Sequence, residues 1–318
     1  MKKTLAIAVS ACTFLQLFFS QASIAWNDFG HMSVAYIAYK NLNEKTRERV
    51  DKLLKLNPMY AYWNEQIPAD SSKFERNAQI CMMAATWPDQ IKKDANYFAD
   101  GDADGNRPSG PDSARNIGYA DKFMHKYWHF YDRAFSQDGS KVRFEIPDPN
   151  AYTQVAVCRK TLASDANDEL KSYDLCWLMH MVGDLHQPMH CATRASRFAP
   201  YGDNGGNEVW VSDDENPKMR LHGFWDGCLG SGPSFTVKAF ADSLPGAKKS
   251  QVSKLNTKDW LQESFLLTKK QVYVPPIKWG NGPFKLNDSY KQSALELSKK
   301  RVALAGMRLA SILNGELR

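Results

Sequence analysis

Near the middle of the chain, residues 176–190 read CWLMHMVGDLHQPMH, and this stretch constrains the fold more than any other. It sets His180, Asp184, His186 and His190 among side chains that otherwise look like the interior of a helix. A helix over 167–187 brings His180 and Asp184, four residues apart, onto one face with one a turn above the other. Pro188 disfavours helical backbone at Gln187, so the chain has to turn there and carry His190 back on a new path. An imidazole and a carboxylate at that spacing can hold a divalent cation, although a core histidine beside a neighbouring acid produces the same pair.

Recurrence separates the two readings. LHGFWDG repeats the four-residue interval at His222 and Asp226; TWPDQIK supplies Asp89, KYWHFYD supplies His129 and Asp132, and WNDFGH supplies His31 just after Trp26. Together with residues 176–190 these segments hold six of the seven histidines and several acids, in aromatic settings. Around them, helical periodicity dominates: residues 31–41, 44–56 (apolar at Val50, Leu53, Leu54 and Leu56), 151–163, 167–187 and 293–313 read as helices. Polar connections rich in Gly, Pro, Asn and Asp fall at 94–118, 192–220 and 269–290, with strand left open near 208–212. The expectation is a mainly α fold with long functional loops and little strand.

Lys2 and Lys3, an apolar run from Leu5 through Phe19, and Ser23-Ile24-Ala25 read as a signal peptide (1–25) cleaved before Trp26. The apolar run is shorter than the ~20 residues of a membrane span. VSAC, ending at Cys12, also resembles a lipoprotein cleavage site, with only a stub of hydrophobic region before it. Residues 26–318 then suffice for one large domain, and no linker, repeat or second hydrophobic span divides them. The mature chain is mildly basic, compatible with a polyanionic substrate but too weakly so to imply one. Cys81, Cys158, Cys176, Cys191 and Cys228 remain after cleavage and allow up to two disulfides in an oxidising compartment.

These residues resemble the zinc-dependent single-strand nucleases and 3'-nucleotidases of the S-one/P-one type. The matching landmarks are Trp26-x4-His31, the WPD acid Asp89, WHFYD, the block HMVGDLHQPMH, the GGN turn Gly205-Gly206-Asn207, and His222-x3-Asp226, all in the family's order. The C-terminal third carries no matching motif. The resemblance implies a single-domain, multi-helix trinuclear-zinc fold, also found in phospholipases C, and three zinc ions. The first would be held by Asp89, His129, His180 and Asp184, and the second by His190, His222 and Asp226. The third would take His31, Asp184 and the backbone nitrogen and oxygen of Trp26, so an uncleaved leader would remove an amine ligand.

The implied reaction is phosphate-ester hydrolysis of single-stranded DNA, RNA and 3'-nucleotides, with metal-activated hydroxide attacking phosphorus in line and the P–O3' bond breaking. Asp132 matches the acid that orients the attacking water, though a partner for a metal-bound histidine reads equally well. Lys92 stands where the family has arginine, which keeps the charge but loses a two-pronged contact. Phe130 matches the residue that stacks on a base, and the turn at Gly206 and Asn207 meets the base edge. Export, a monomer, and no membrane contact after cleavage complete the expectation.

Two alternatives stay open: a zinc phospholipase C, disfavoured by GGN, Phe130 and Asp226, and a non-catalytic metal-binding protein. His125 reads as a surface or supporting residue and His186 as structural. DGDADGN (100–106) opens like a calcium loop, but Pro111 falls where its bidentate glutamate belongs. SKKR (298–301) reads as the wet face of the last helix.

Overall fold

The computed structural model describes residues 26–100 and 111–317. The predicted leader and all of the DGDADGN segment except Asp100 lie outside the described residues. The described residues form eleven α-helices and five short strands, in chain order: α1 (Asp28–Lys40), α2 (Glu44–Leu54), α3 (Tyr60–Glu65), α4 (Lys73–Gln90), β1 (Arg133–Ser136), α5 (Ala151–Ala163), α6 (Asp168–Asp184), β2 (Ala192–Ala195), β3 (Trp210–Ser212), β4 (Met219–Arg220), α7 (Leu221–Gly227), α8 (Ser234–Asp242), α9 (Lys249–Val252), α10 (Thr257–Leu267), β5 (Phe284–Lys285) and α11 (Asp288–Glu316). The fold is mainly α, as the periodicity predicts.

Local chemistry sets where the long helices begin. Asn27, Asn43, Asn150, Asn167 and Asn287 each accept a hydrogen bond from an amide of the following first turn, and Ser72 forms a reciprocal capping box with Glu75. The helix predicted over 167–187 stops at Asp184, three residues early, because Pro188 forces the chain into a 3-10 turn over Pro188–Cys191. α4 was not expected at all. Its apolar positions Ala78, Cys81, Met82 and Ala85 carry helical spacing behind a capping box, yet Pro88 interrupts the pattern in the last turn.

α6 is the axis of the molecule, buried on every side from Lys171 to Asp184. α1, α4, α5 and α11 pack around it. Trp177 on α6 meets Trp87 of α4 and Trp128 edge-on at centroid distances of 6.3 and 4.9 Å, and each such pair adds about 0.5–1.5 kcal/mol beyond area burial. A second apolar cluster, built on Val211, Trp225, Phe265 and Tyr273, lies under the small three-stranded sheet β4–β3–β5.

β1 and β2 pair in parallel, Arg133 opposite Ala192. They directly follow Asp132 and Cys191, so this short pair lays the KYWHFYD segment beside the HQPMH segment.

The cysteines correct an expectation. All five in the described residues are free thiols, four of them buried. Cys81 faces Met179 Sδ at 3.6 Å, Cys191 faces the Leu185 carbonyl at 3.5 Å, and Cys228 faces Ser298 Oγ at 3.0 Å. SKKR is not simply a wet face either, since Ser298 and Arg301 are buried.

Candidate metal centre

Six elements of the chain deliver donors to one buried place. α1 contributes His31, the last turn of α4 Asp89, and the end of α6 His180 and Asp184. His129 ends a 3-10 turn before β1, His190 sits in the turn that Pro188 starts, and α7 presents His222 and Asp226. All eight side chains are nearly or fully buried.

Their spacing fits coordinated cations. Asp184 Oδ2 lies 3.2 Å from both His129 Nδ1 and His180 Nε2, these two nitrogens are 2.8 Å apart, and Asp89 Oδ1 is 3.7 Å from each. A tetrahedral zinc with bonds of about 2.0–2.1 Å needs donors roughly 3.3 Å apart. In the second group, His190 Nε2 is 3.1 Å from His222 Nε2 and 3.6 Å from Asp226 Oδ1, with His222 Nε2 3.4 Å from Asp226 Oδ2. The other oxygen of Asp184 faces His31 Nε2 at 3.3 Å, so the two oxygens of one carboxylate serve different neighbours. His31, Asp89 and His180 also gather as a possible ligand group.

Backbone carbonyls set the tautomers. Nδ1–H of His180 donates to Ala85 O at 2.8 Å, that of His190 to His129 O at 2.7 Å and that of His222 to Gly205 O at 2.7 Å. Each Nε2 therefore turns its lone pair into the site. Pro88 lacks the amide that would bind Ala84 O, and this turn of α4 supplies the acceptor for His180.

Trp26 is fully buried with its indole N–H on Gly183 O at 3.0 Å, and Asn27 N donates to Asp226 O at 3.1 Å. The residue predicted to become the mature terminus is thus stitched to the residue before Asp184.

Polar atoms without partners concentrate here. Of fifteen such buried side-chain atoms among the described residues, eight belong to His31, Asp89, His129, Asp132, Asp184 and Asp226. Buried polar groups are ordinarily satisfied, so a cluster of orphaned lone pairs on metal-binding side chains is what a cation would complete.

The electrostatics agree. Burial would raise the Asp184 carboxyl, but the imidazoles of His180 and His190 hold it well below the usual range. Burial and the nearby Lys92 push His129 down to about 3, leaving a neutral imidazole. Burial also opposes a charge on His190, yet the Asp184 and Asp226 carboxylates lift it to about 9, so a cation held there would have to displace its proton.

Beside the donors lies the expected substrate side. Asp132 is buried with one oxygen unpartnered, and burial pushes its carboxyl up to about 8. Lys92 Nζ sits 2.7 Å from Asp89 Oδ1, directly at the first group. Phe130, half-buried, follows His129, and its carbonyl accepts from Ala151 N. Gly205 and Gly206 both have positive φ, and a Cβ at Gly206 would strike Met189, so this turn needs glycine to pass close to the site. Asn207 donates from Nδ2 to Asn204 O at 3.0 Å.

His125 is neither at the surface nor beside a ligand. It is fully buried, hydrogen-bonded to Asp100 at 2.6 Å and Asp121 at 2.9 Å, and stacked on Trp128. His186 is structural: Nδ1 meets Val182 O and Nε2 accepts from Arg308.

Three supporting residues were not anticipated. Gln187, inside the histidine block, donates to Asp226 Oδ1 at 2.6 Å. Asp203 accepts from Gly206 N at 3.1 Å and Tyr273 Oη at 2.7 Å, holding the GGN turn. Gly183 makes room for His31, whose Nδ1 lies 2.8 Å from where a Cβ would stand.

The model of the S1/P1 Nuclease family matches residues 26–318. The chain is 25% identical to Endonuclease 3 of Arabidopsis thaliana over 92% of this chain and 89% of that protein. Endonuclease 4 of the same plant is 26% identical over the same shares, and Nuclease S1 of Aspergillus oryzae is 24% identical over 97% and 96%. The family match begins at the buried Trp26, spans every donor described above and supports a nuclease acting on nucleic acid. The chain belongs to the S1/P1 nuclease family.

Proposed function

We propose that this protein is an exported zinc-dependent phosphodiesterase that cuts single-stranded DNA and RNA to 5'-nucleotides and also hydrolyses 3'-nucleotides. In this reading residues 1–25 are a leader and 26–318 one catalytic unit. Asp89, His129, His180 and Asp184 would hold one zinc, and His190, His222 and Asp226 a second. His31, Asp184 and the freed backbone of Trp26 would hold a third. Nitrogen and oxygen donors without thiolate suit zinc, and a centre with three protein ligands leaves a position open.

When bound, the ions supply Lewis acidity that lowers the pKa of a water and offsets charge on the phosphate and its departing 3'-oxygen. The chain's own residues do the rest. Asp132, with a pKa lifted by burial to about 8, orients the attacking water and exchanges a proton near neutrality. Phe130 stacks on a base, with stacking worth about 1–3 kcal/mol and indifferent to base identity. Asn207, on the turn that Gly206 allows, meets the base edge, and Lys92 offsets phosphate charge. Because duplex DNA hides its base faces, such a pocket favours single strands.

The observation that supports this most is the crowding of orphaned imidazole and carboxylate atoms around Asp184, beside Phe130 and the GGN turn. The test gives purified mature protein single-stranded DNA, RNA, 3'-AMP and phosphatidylcholine, with and without chelator. Chelator-sensitive cleavage of the first three is expected; cleavage of the lipid alone, or nuclease activity indifferent to chelation, overturns the reading. A variant retaining one residue ahead of Trp26 should lose one zinc and most activity.

A further inference from the structure

Next to the GGN turn, one arginine ties several loops into a continuous rim. Arg194 on β2 is buried; its amide donates to Asp203 Oδ1 at 2.9 Å, and its guanidinium donates to Lys278 O and Gly280 O, both at 2.8 Å. Asp203 in turn accepts from Gly206 N. Segments 196–203, 204–207 and 278–280 are thereby held to one another. Trp210 N donates to Asn281 O at 2.7 Å, which adds the β3–β4 pair to the same edge.

This rim is aromatic and cationic. Of the seven widely exposed aromatic side chains among the described residues, three stand on it: Phe198 (84% exposed), Tyr201 (57%) and Trp279 (53%). Single exposed apolar residues are ordinary, but three on bolted loops beside a candidate site form a patch. The Arg197 guanidinium lies over the Phe198 ring at 4.5 Å, and that of Arg220 over Trp210 at 3.3 Å. Tyr201 is six residues before Asn207, and Arg220 two before His222, so the rim adjoins the candidate site along the chain at both segments.

Alternating rings and guanidinium groups on a surface match one ligand chemistry, a flexible strand offering base faces and phosphates in turn. We propose that this rim is an extended binding surface for single-stranded nucleic acid. Phe198, Tyr201 and Trp279 stack on bases outside the scissile position, and Arg197 and Arg220 meet the intervening phosphates. The proposal rests on the reading of the site as a single-strand nuclease and adds a dependence on strand length.

The experiment measures kcat and KM for 3'-AMP and a 20-residue oligo-dT, and the inhibition of 3'-AMP hydrolysis by phosphorothioate oligo-dT of two and twenty residues. The metal-loaded protein is compared with Phe198→Ala, Tyr201→Ala and Trp279→Ala, singly and combined, and with Arg197→Gln/Arg220→Gln. All five side chains lie outside the donor cluster. Removing each aromatic should raise KM for the long strand about ten-fold, the equivalent of roughly 1.4 kcal/mol of stacking, with 3'-AMP kinetics unchanged. The arginine pair should flatten the salt dependence of the long strand's inhibition.

Equal inhibition by the short and long oligomers, or a twenty-base-pair duplex inhibiting as well as the single strand, overturns the proposal. So does an equal loss on 3'-AMP in the aromatic variants. A parent protein inactive on both substrates refutes instead the nuclease reading beneath it.

Discussion

Gly183→Ala separates fold stability from metal binding. Within a helix, alanine is favoured over glycine by about 1 kcal/mol, so propensity alone predicts a slightly more stable protein. Space predicts the opposite for the site. The new Cβ would stand 2.8 Å from His31 Nδ1 and 3.2 Å from its Cε1, so the ring must retreat by about 0.6 Å to reach the 3.4 Å of ordinary contact. That ring is fully buried and stacked on His180 at 3.7 Å, and it has nowhere free to go. Metal–ligand distances tolerate about ±0.2 Å. His31 would therefore leave the reach of the ion it is proposed to share with Asp184, weakening that site by about 10–100-fold. After dialysis against buffered zinc, metal analysis should find one equivalent fewer than in the parent. Melting in chelator should shift by only a few degrees. Unchanged zinc content and affinity would show that His31 is not held against Gly183 as a ligand.

Three further outcomes are expected. Glu263→Ala leaves the buried Arg301 and Arg308 without the carboxylate that pairs with both at 2.9 and 2.8 Å, and urea unfolding should show a loss of about 3–5 kcal/mol; a loss below 1 kcal/mol would contradict the network. Asp132→Asn should lower turnover by about 10²–10⁴-fold with full zinc content if Asp132 handles the water's proton, whereas loss of zinc would mark it as support for a ligand. For His125, burial opposes the charge but Asp100 and Asp121 prevail and raise its pKa. Its ion-paired stabilisation is then fully present below the unfolded pKa of about 6.5 and fades as pH rises through the higher folded value. The stability gap between parent and His125→Gln should be widest below about pH 6.5 and shrink as pH rises above it; a gap that widens with pH refutes the assignment.

The ligand pairs were legible because their geometry is local. His180 and Asp184, and His222 and Asp226, share helix faces by spacing alone, and Pro188 had to end α6 before His190. Much around them was not legible. The acceptors that turn the imidazoles inward are the carbonyls of Ala85, His129 and Gly205, which leave no mark in residue identity. Arg301 in SKKR looked solvent-facing because its partner Glu263 is 38 residues away in the chain. His125 lacked a visible role for the same reason, since Asp100 lies 25 residues before it.

By itself, then, the amino-acid order determined the helical class, the break after α6, the candidate donors and the kinship that names their chemistry. These follow from periodicity, proline stereochemistry and the ordered residue types of the motifs, none of which requires knowing how distant segments meet. Only the tertiary structure decided that donors from α1, α4, α6, α7 and the turns before β1 and β2 gather in one buried place, that the cysteines remain free thiols, and that aromatic loops line one edge. Those outcomes depend on long-range packing around a buried α6, where each donor's direction is set by backbone groups far away in sequence.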